Sequence, residues 1–316
     1  MRLFLLAAVL IAAPAFGQGF PSRPVQLVVP AAAGGTVDIL SRDIAPALSE
    51  ALGQPVLVEN RPGAGTNLGM EAVVRSAPDG HMLLVGGVPV ATNKVLYSKL
   101  SFDPAVDLAP ITLLVTASNV LVVNPSLPVN SVAELIEYAR QRPGELFFGS
   151  PATGSTPHLA GELFNYLAGV KMVHVPYKGA AQGLNDLIGG RLQLSFDNIP
   201  PTVPHVRSGR LRALAVTAGK RQSAFPELPT MVEAGMPGFE VSAWFGLLAR
   251  SGTPPETLRR LEAAAAKVLA TPSVRESLVR LGFEVDGRGA AAYAEHIRTE
   301  AARWTPIIKA IGARAD

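Results

Sequence analysis

Short apolar runs alternate with amphipathic stretches along most of the chain. Aliphatic and β-branched runs at residues 25–29, 55–59 and 82–86 predict strands, and the stretches 38–52 and 66–76 predict the helices between them. A second series of the same kind begins at Ser131, where Ser131 and Glu134 form a capping box for a helix reaching residue 140. A strand at 146–149, a helix at 156–167 and strands at 173–175, 192–196 and 211–216 follow. This alternation is the pattern of an α/β fold built on mainly parallel sheets with flanking helices. Apolar runs at 111–115, 120–123 and 241–249, the last holding Trp244 and Phe245, predict connecting strands. Downstream, Thr253-Pro254-Pro255-Glu256 supplies a cap, a helix-starting proline and a first-turn acid, and Leu258, Leu261, Ala265 and Val268 line one face of the helix it opens. Tyr293, Ile297, Ala301, Trp304 and Ile308 form the apolar stripe of a last helix, which Pro306 is expected to kink or restart.

Length turns this pattern into two lobes. A chain of 316 residues exceeds the size at which one core stops growing, about 250–300 residues. The expected division is a discontinuous first lobe, 18–123 with 241–316, and a second lobe, 124–240, with a ligand cleft between them and the crossover strands as hinge. Charged residues make up 17% of the chain and hydrophobic ones 48%, which excludes disorder for most of its length. The start fits a signal peptide: Arg2, an apolar run over 3–13 ended by Pro14, then Ala15 and Gly17 as the small residues a peptidase reads. Cleavage after Gly17 is expected, leaving an exported, soluble protein. The net charge is only +3 and basic residues cluster weakly, at 207–212 and 259–260, so no nucleic-acid partner is expected. With no cysteine, disulfides, thiolate zinc sites, cysteine nucleophiles and a lipid-anchored cysteine are impossible.

Two glycine-rich turns carry the chemistry. Leu27-Val28-Val29-Pro30 leads into Ala31-Ala32-Ala33-Gly34-Gly35-Thr36, and Phe147-Phe148-Gly149 leads into Ser150-Pro151-Ala152-Thr153-Gly154-Ser155-Thr156. A strand end followed by a small-residue turn presents unpaired backbone N–H groups at a helix N-terminus, where the dipole favours an anion. Thr36, Ser150, Ser155 and Thr156 add hydroxyl donors. The second turn matches a P-loop except that Ser155 stands where the lysine must be, which disfavours a nucleoside triphosphate. Gly63-Ala64-Gly65-Thr66-Asn67-Leu68-Gly69 misses the dinucleotide spacing by one residue. A cradle of N–H and hydroxyl donors without a fixed cation suits a carboxylate.

Catalytic and metal readings are poorly supplied. There is no Gly-x-Ser-x-Gly elbow, and the 5 histidines form no zincin pair. Ser150 with His158 is the best available hydrolase couple, although His158 also fits a first-turn role or a pair with Glu162. Asp38 reads as an N-terminal helix acid. No catalytic residue, metal or cofactor is expected. Asp197 ends the run 192–196 at the carboxyl end of a strand, where open α/β folds bind ligands, and it fits equally a cap for a helix starting near Pro200.

Residues 30–38, Glu59-Asn60-Arg61-Pro62-Gly63-Ala64-Gly65, Ala77-Pro78-Asp79-Gly80, Gly149-Ser150 with residues 154–159, Val173-His174-Val175-Pro176-Tyr177-Lys178-Gly179 and Phe196-Asp197-Asn198 together resemble the Bug family. These are periplasmic solute-binding proteins of tripartite tricarboxylate transporters, and the similarity covers essentially the whole chain after the leader. The resemblance implies a two-lobed periplasmic-binding-protein fold, type II-like, that holds a ligand carboxylate between the two turns. It assigns that contact to Ala33, Gly34, Gly35 and Thr36 in the first turn, to Ser150, Gly154, Ser155 and Thr156 in the second, and to Asp197 for a polar group of the ligand. Two inner-membrane transporter subunits are implied as partners and the receptor is expected to be a monomer. An exported hydrolase and a sensory or scaffold protein on the same fold are the alternatives. Ala31 departs from the family pattern, which commonly has a bulky aromatic there, and its smallness leaves room for a larger ligand.

Overall fold

A computed structural model describes residues 19–315. The leader expected at 1–17 and its cleavage point lie outside the described residues. Strand β1 (Val25–Val29) is followed by helix α1 (Thr36–Leu52), β2 (Val56–Asn60), α2 (Asn67–Val74) and β3 (Met82–Gly86), and the three strands run parallel in the order β2-β1-β3. Four of the five β1 side chains are buried, because helices cover both faces of a central parallel strand, and such a strand reads as an aliphatic run. Two helices with no clear amphipathic signal come next, α3 (Pro89–Leu96) and α4 (Pro104–Asp107), each opened by a proline at its first turn.

The long strand β4 (Leu108–Val123) precedes a second series: α5 (Val132–Arg140), β5 (Phe147–Ser150), α6 (Thr156–Ala168), β6 (Val173–Pro176), α7 (Ala180–Ile188), β7 (Leu194–Asn198), α8 (Ile199–Arg207) and β8 (Arg212–Val216). The capping expected for α5 is made by Ser131 Oγ, which accepts from the Glu134 N–H at 3.1 Å. Glu134 reaches back to the Asn130 N–H at 2.7 Å rather than to that of Ser131. β6, β5 and β7 are parallel neighbours. The chain then returns through β9 (Ser242–Arg250), α9 (Pro255–Ala270), α10 (Pro272–Arg280), β10 (Glu284–Val285) and α11 (Ala290–Ala310).

Residues 111–115 and 120–123 belong to one continuous strand, where two separate runs are expected from the pattern. Thr116, Ser118 and Asn119 break the apolar run because β4 changes sheets there. Up to Ser118 it pairs antiparallel with β9, and from Asn119 onward it pairs antiparallel with β7 and β8. The strands therefore form two mixed sheets, each with a parallel centre, that share β4. One core cluster spans both sheets, combining Val28, Leu84, Leu121, Phe148 and Phe196, and two smaller clusters fill the other faces. α11 passes through Pro306 as one helix rather than restarting. Tyr293 and Ile297 before Pro306 and Ile308 after it are all buried, so packing on both sides holds the helix axis.

Candidate functional site

A cavity of about 550 Å³ opens among the loops at the carboxyl ends of the parallel strands, walled by loops of both sheets. Its most unusual property is the number of helices that begin in its wall. Gly35 and Thr36 start α1, Thr66 precedes α2, Pro89 and Val90 start α3, Ser155 and Thr156 start α6, Gly179 and Ala180 start α7, and Asn198 caps α8. Each helix N-terminus leaves first-turn N–H groups without an intrahelical partner and carries roughly half a positive charge. Among the described wall residues Lys178, itself exposed, is the one lysine or arginine. The positive potential of the cavity comes chiefly from backbone. The rest of the wall is largely apolar or aromatic, including Met70, Val85, Tyr97, Tyr177 and Phe245, and Ala31 lies within it.

The first turn is shaped from inside. Gly34, at φ +79°, donates its N–H to Asp38 Oδ2 at 2.9 Å. Asp38 also accepts from Arg42 at 3.0 Å and from Asn60 at 2.9 Å. Burial pushes the Asp38 carboxyl up, but the hydrogen bonds from Arg42, Gly34 and Asn60 outweigh it and hold the group below its ordinary value. Asp38 is the helix acid expected, with the further task of fixing the turn. Gly35 and Thr36 reach the cavity wall, whereas Ala33 and Gly34 do not.

The second turn is held the same way by a histidine. Gly154, at φ +83°, donates its N–H to His158 Nδ1 at 3.1 Å, and Ser155 Oγ donates to the Ala152 carbonyl at 2.6 Å. Ser150 Oγ lies 3.1 Å from the same carbonyl and 2.7 Å from His174 Nε2. Ser155 and Thr156 line the cavity, and Ser150 and Gly154 do not. The couple expected between Ser150 and His158 is replaced by Ser150 and His174, and the two imidazoles lie against each other with centroids 4.1 Å apart. His158 Nε2 stands 4.0 Å from Glu162 Oε1, too far for a hydrogen bond, so its anchoring contact is the Gly154 amide. Burial lowers His158 to about 4, and burial together with the neighbouring His158 lowers His174 to about 3, so both rings are neutral at pH 7.

Asp197 and Asn198 end β7 at the cavity. Asp197 is buried, accepts the Asn198 N–H at 2.8 Å, and is pushed up to about 7 by burial, a shift that this one hydrogen bond only partly opposes. Asn198, not Asp197, holds the N-cap position of α8, without a side-chain cap bond, and both residues line the cavity. Asn198 is the residue that the sequence does not single out. Its Nδ2 donates to Thr156 Oγ1 at 3.3 Å and to Asn119 Oδ1 at 3.1 Å, and its Oδ1 accepts from Thr36 Oγ1 at 3.2 Å. One amide thus ties the start of α1 to the start of α6 and both to the point where β4 changes sheets. The available signal is a second polar residue after Asp197 at a buried strand end.

The glycine-rich run after β2 is also part of the wall. Gly63, Ala64, Gly65 and Thr66 all have positive φ, and Thr66 Oγ1 is buried without a hydrogen-bond partner. Loops of the two sheets meet through small residues around the cavity. A Cβ placed on Gly179 would lie 2.7 Å from Ala32 Cβ, and one on Gly154 would lie 2.7 Å from Leu96 Cδ1.

Fold and cavity together fit a solute-binding receptor, its cavity walled by loops of two sheets. The description of the tripartite tricarboxylate transporter family receptor matches residues 40–313, and the chain belongs to this family, one of receptors and not of enzymes. It is 36% identical over 306 residues to protein BugT of Bordetella pertussis, spanning 96% of this chain and 94% of that one. Among solved structures it is similar to R. palustris Rpa4515 with adipate, with 42% identity, a TM-score of 0.91 and coverage of 93% of this chain and 99% of that one. It is similar as well to MatC from Rhodopseudomonas palustris with bound malate, with 34% identity, a TM-score of 0.88 and coverage of 92% and 100%. Among the described residues no helix is long and apolar enough to cross a membrane.

Proposed function

We propose that the chain is a periplasmic receptor that closes on a small carboxylate and delivers it to the membrane subunits of a tripartite transporter. The observation that carries this reading is the convergence of helix N-termini on one cavity whose only cationic side chain among the described residues is the exposed Lys178. The carboxylate sits against Gly35, Thr36, Ser155 and Thr156, with Asp197 facing its far end. Ala33, Gly34, Ser150 and Gly154 serve the same site from behind by shaping the two turns. The lobes are 18–123 with 241–316, and 124–240, hinged about β4 where it changes sheets between Ser118 and Asn119. Residues 1–17 direct export and are removed in the course of it. The relatives with adipate and malate support a carboxylate as the class of ligand.

A thermal-shift and calorimetric screen of mono-, di- and tricarboxylates, amino acids, sugars and polyamines tests the binding claim. A rise in melting temperature confined to carboxylates is the expected result, and binding of neutral or cationic solutes alone would overturn it. Delivery is tested by uptake of the bound compound in cells lacking the gene, which should fall.

A further inference from the structure

We infer that the segment following α11, residues 311–315, is the end wall of the cavity and sets the length of ligand it admits. The inference rests on the receptor reading above. α11 ends at Ala310, and the chain does not leave the body there. Ile311, Ala313 and Ala315 are half-buried against the core that spans both sheets, while Gly312 and Arg314 between them are exposed. This alternation lays the segment flat along the protein. The Ala315 N–H donates to the Leu96 carbonyl at 3.0 Å. Leu96 is the last residue of α3, so its carbonyl is one that the helix itself cannot satisfy. The segment therefore caps α3, and in doing so it brings Ala315 into the cavity wall with Tyr97 and Val90.

The two parts of the cavity differ in kind. Thr36, Thr156 and Asn198 are joined by hydrogen bonds into one polar seat. The wall that α3 and the segment make, with Val90, Tyr97 and Ala315, offers mainly apolar surface and, among the described residues, no charged side chain. A carboxylate fixed on the polar seat leaves its aliphatic or aromatic remainder to fill the rest, and its permitted length ends where Ala315 stands. Among the described residues the segment is attached beyond α11's own C-terminal turn by the Ala315–Leu96 backbone hydrogen bond and by small or single apolar side chains.

Calorimetry on the linear α,ω-dicarboxylates from succinate to sebacate tests this in three proteins: the full chain, a chain ending at Gly312, and Ala315→Trp. Shortening should shift the optimum to longer diacids, improving long over short members by about tenfold or more, and Ala315→Trp should shift it to shorter ones by a similar factor. The same length preference in all three proteins overturns the inference while leaving the receptor reading intact. Absence of binding by every diacid and aryl acid, in a full chain that melts cooperatively, overturns both. Should the shortened chain fail to fold, Ala315→Trp decides alone, since an unchanged length preference there is equally fatal.

Discussion

Replacing Gly179 by alanine tests the closed arrangement at its tightest point. Gly179 lies at φ 161°, extended backbone that alanine adopts without strain, so the cost of the change comes from contact alone. The new methyl would lie 2.7 Å from Ala32 Cβ, against about 3.5–4.0 Å for carbon atoms at rest. Ala32 belongs to the loop between β1 and α1 and Gly179 to the loop between β6 and α7, so relief requires the two loops to part by about 1 Å. A movement of that size stretches the Thr36–Asn198 hydrogen bond, now 3.2 Å, beyond useful range. One to two neutral hydrogen bonds at about 0.5–1.5 kcal/mol each put the loss of closure energy at ~0.5–3 kcal/mol, a fall in affinity of roughly 2- to 150-fold. Calorimetry with the tightest carboxylate from the screen measures it. Ala32→Gly in the same chain removes the opposing methyl and should restore binding to near the original value. Affinity unchanged in Gly179→Ala, or unrestored by Ala32→Gly, would refute the reasoning.

Three further changes probe other parts of the site. Asn198→Ala should weaken carboxylate binding by about tenfold or more, because buried hydroxyls of Thr36 and Thr156 lose their shared partner; calorimetry reads the loss, and an effect below twofold would contradict the bridging role. Asp197, raised by burial from 3.8 to about 7, makes the folded state bind more protons than the unfolded one, so its presence lowers stability increasingly as pH rises from about 4 to 7; Asp197→Asn should therefore stabilise the fold more at pH 8 than at pH 5, by at most about 3 kcal/mol, read from thermal melts. His158, lowered from 6.5 to about 4, binds fewer protons folded than unfolded, so stability should fall as pH drops from about 6.5 towards 4, and His158→Gln, whose amide oxygen can still accept the Gly154 N–H, should flatten that acid limb in thermal melts.

What the sequence discloses follows the range of the interactions involved. β1, β3 and β9 are legible because strands covered on both faces are aliphatic runs, and α1, α5 and α6 because a cap or a small-residue turn marks each start. β4 is only half legible: Thr116, Ser118 and Asn119 look like a break, and nothing local says that they mark a change of sheet. α3 and α7 are invisible as helices since Pro89 and Gly179 at their starts read as loop. The two turns are legible as anion cradles, but not which of their N–H groups are already taken. Gly34 is consumed by Asp38 and Gly154 by His158, and both facts depend on where a side chain points. Asn198 is hardest of all, since its partners lie 162, 79 and 42 residues away in sequence and only the closed fold assembles them.

A site built from helix ends constrains specificity in a particular way. Partial charges on backbone N–H groups attract any carboxylate and cannot be tuned by side-chain substitution, so on the proposed reading the helix starts at Thr36 and Thr156 would recognise the group and not the compound. Discrimination falls to the rest of the wall. Asp197 is the one buried ionisable side chain among the described wall residues, and with a value near 7 it can be charged or neutral at a cost of about 1.4 kcal/mol per unit of displacement. A ligand bringing an ammonium draws it into the charged form and gains an ion pair out of water, whereas one bringing a second carboxyl group meets a neutral acid able to donate a hydrogen bond. An apolar end asks nothing of Asp197 and depends instead on space, which Ala31 provides and Ala315 limits. Charge selection and size selection thus reside on different residues of one cavity, and a substitution at Asp197 should reorder ligands by polarity while leaving their order by length unchanged.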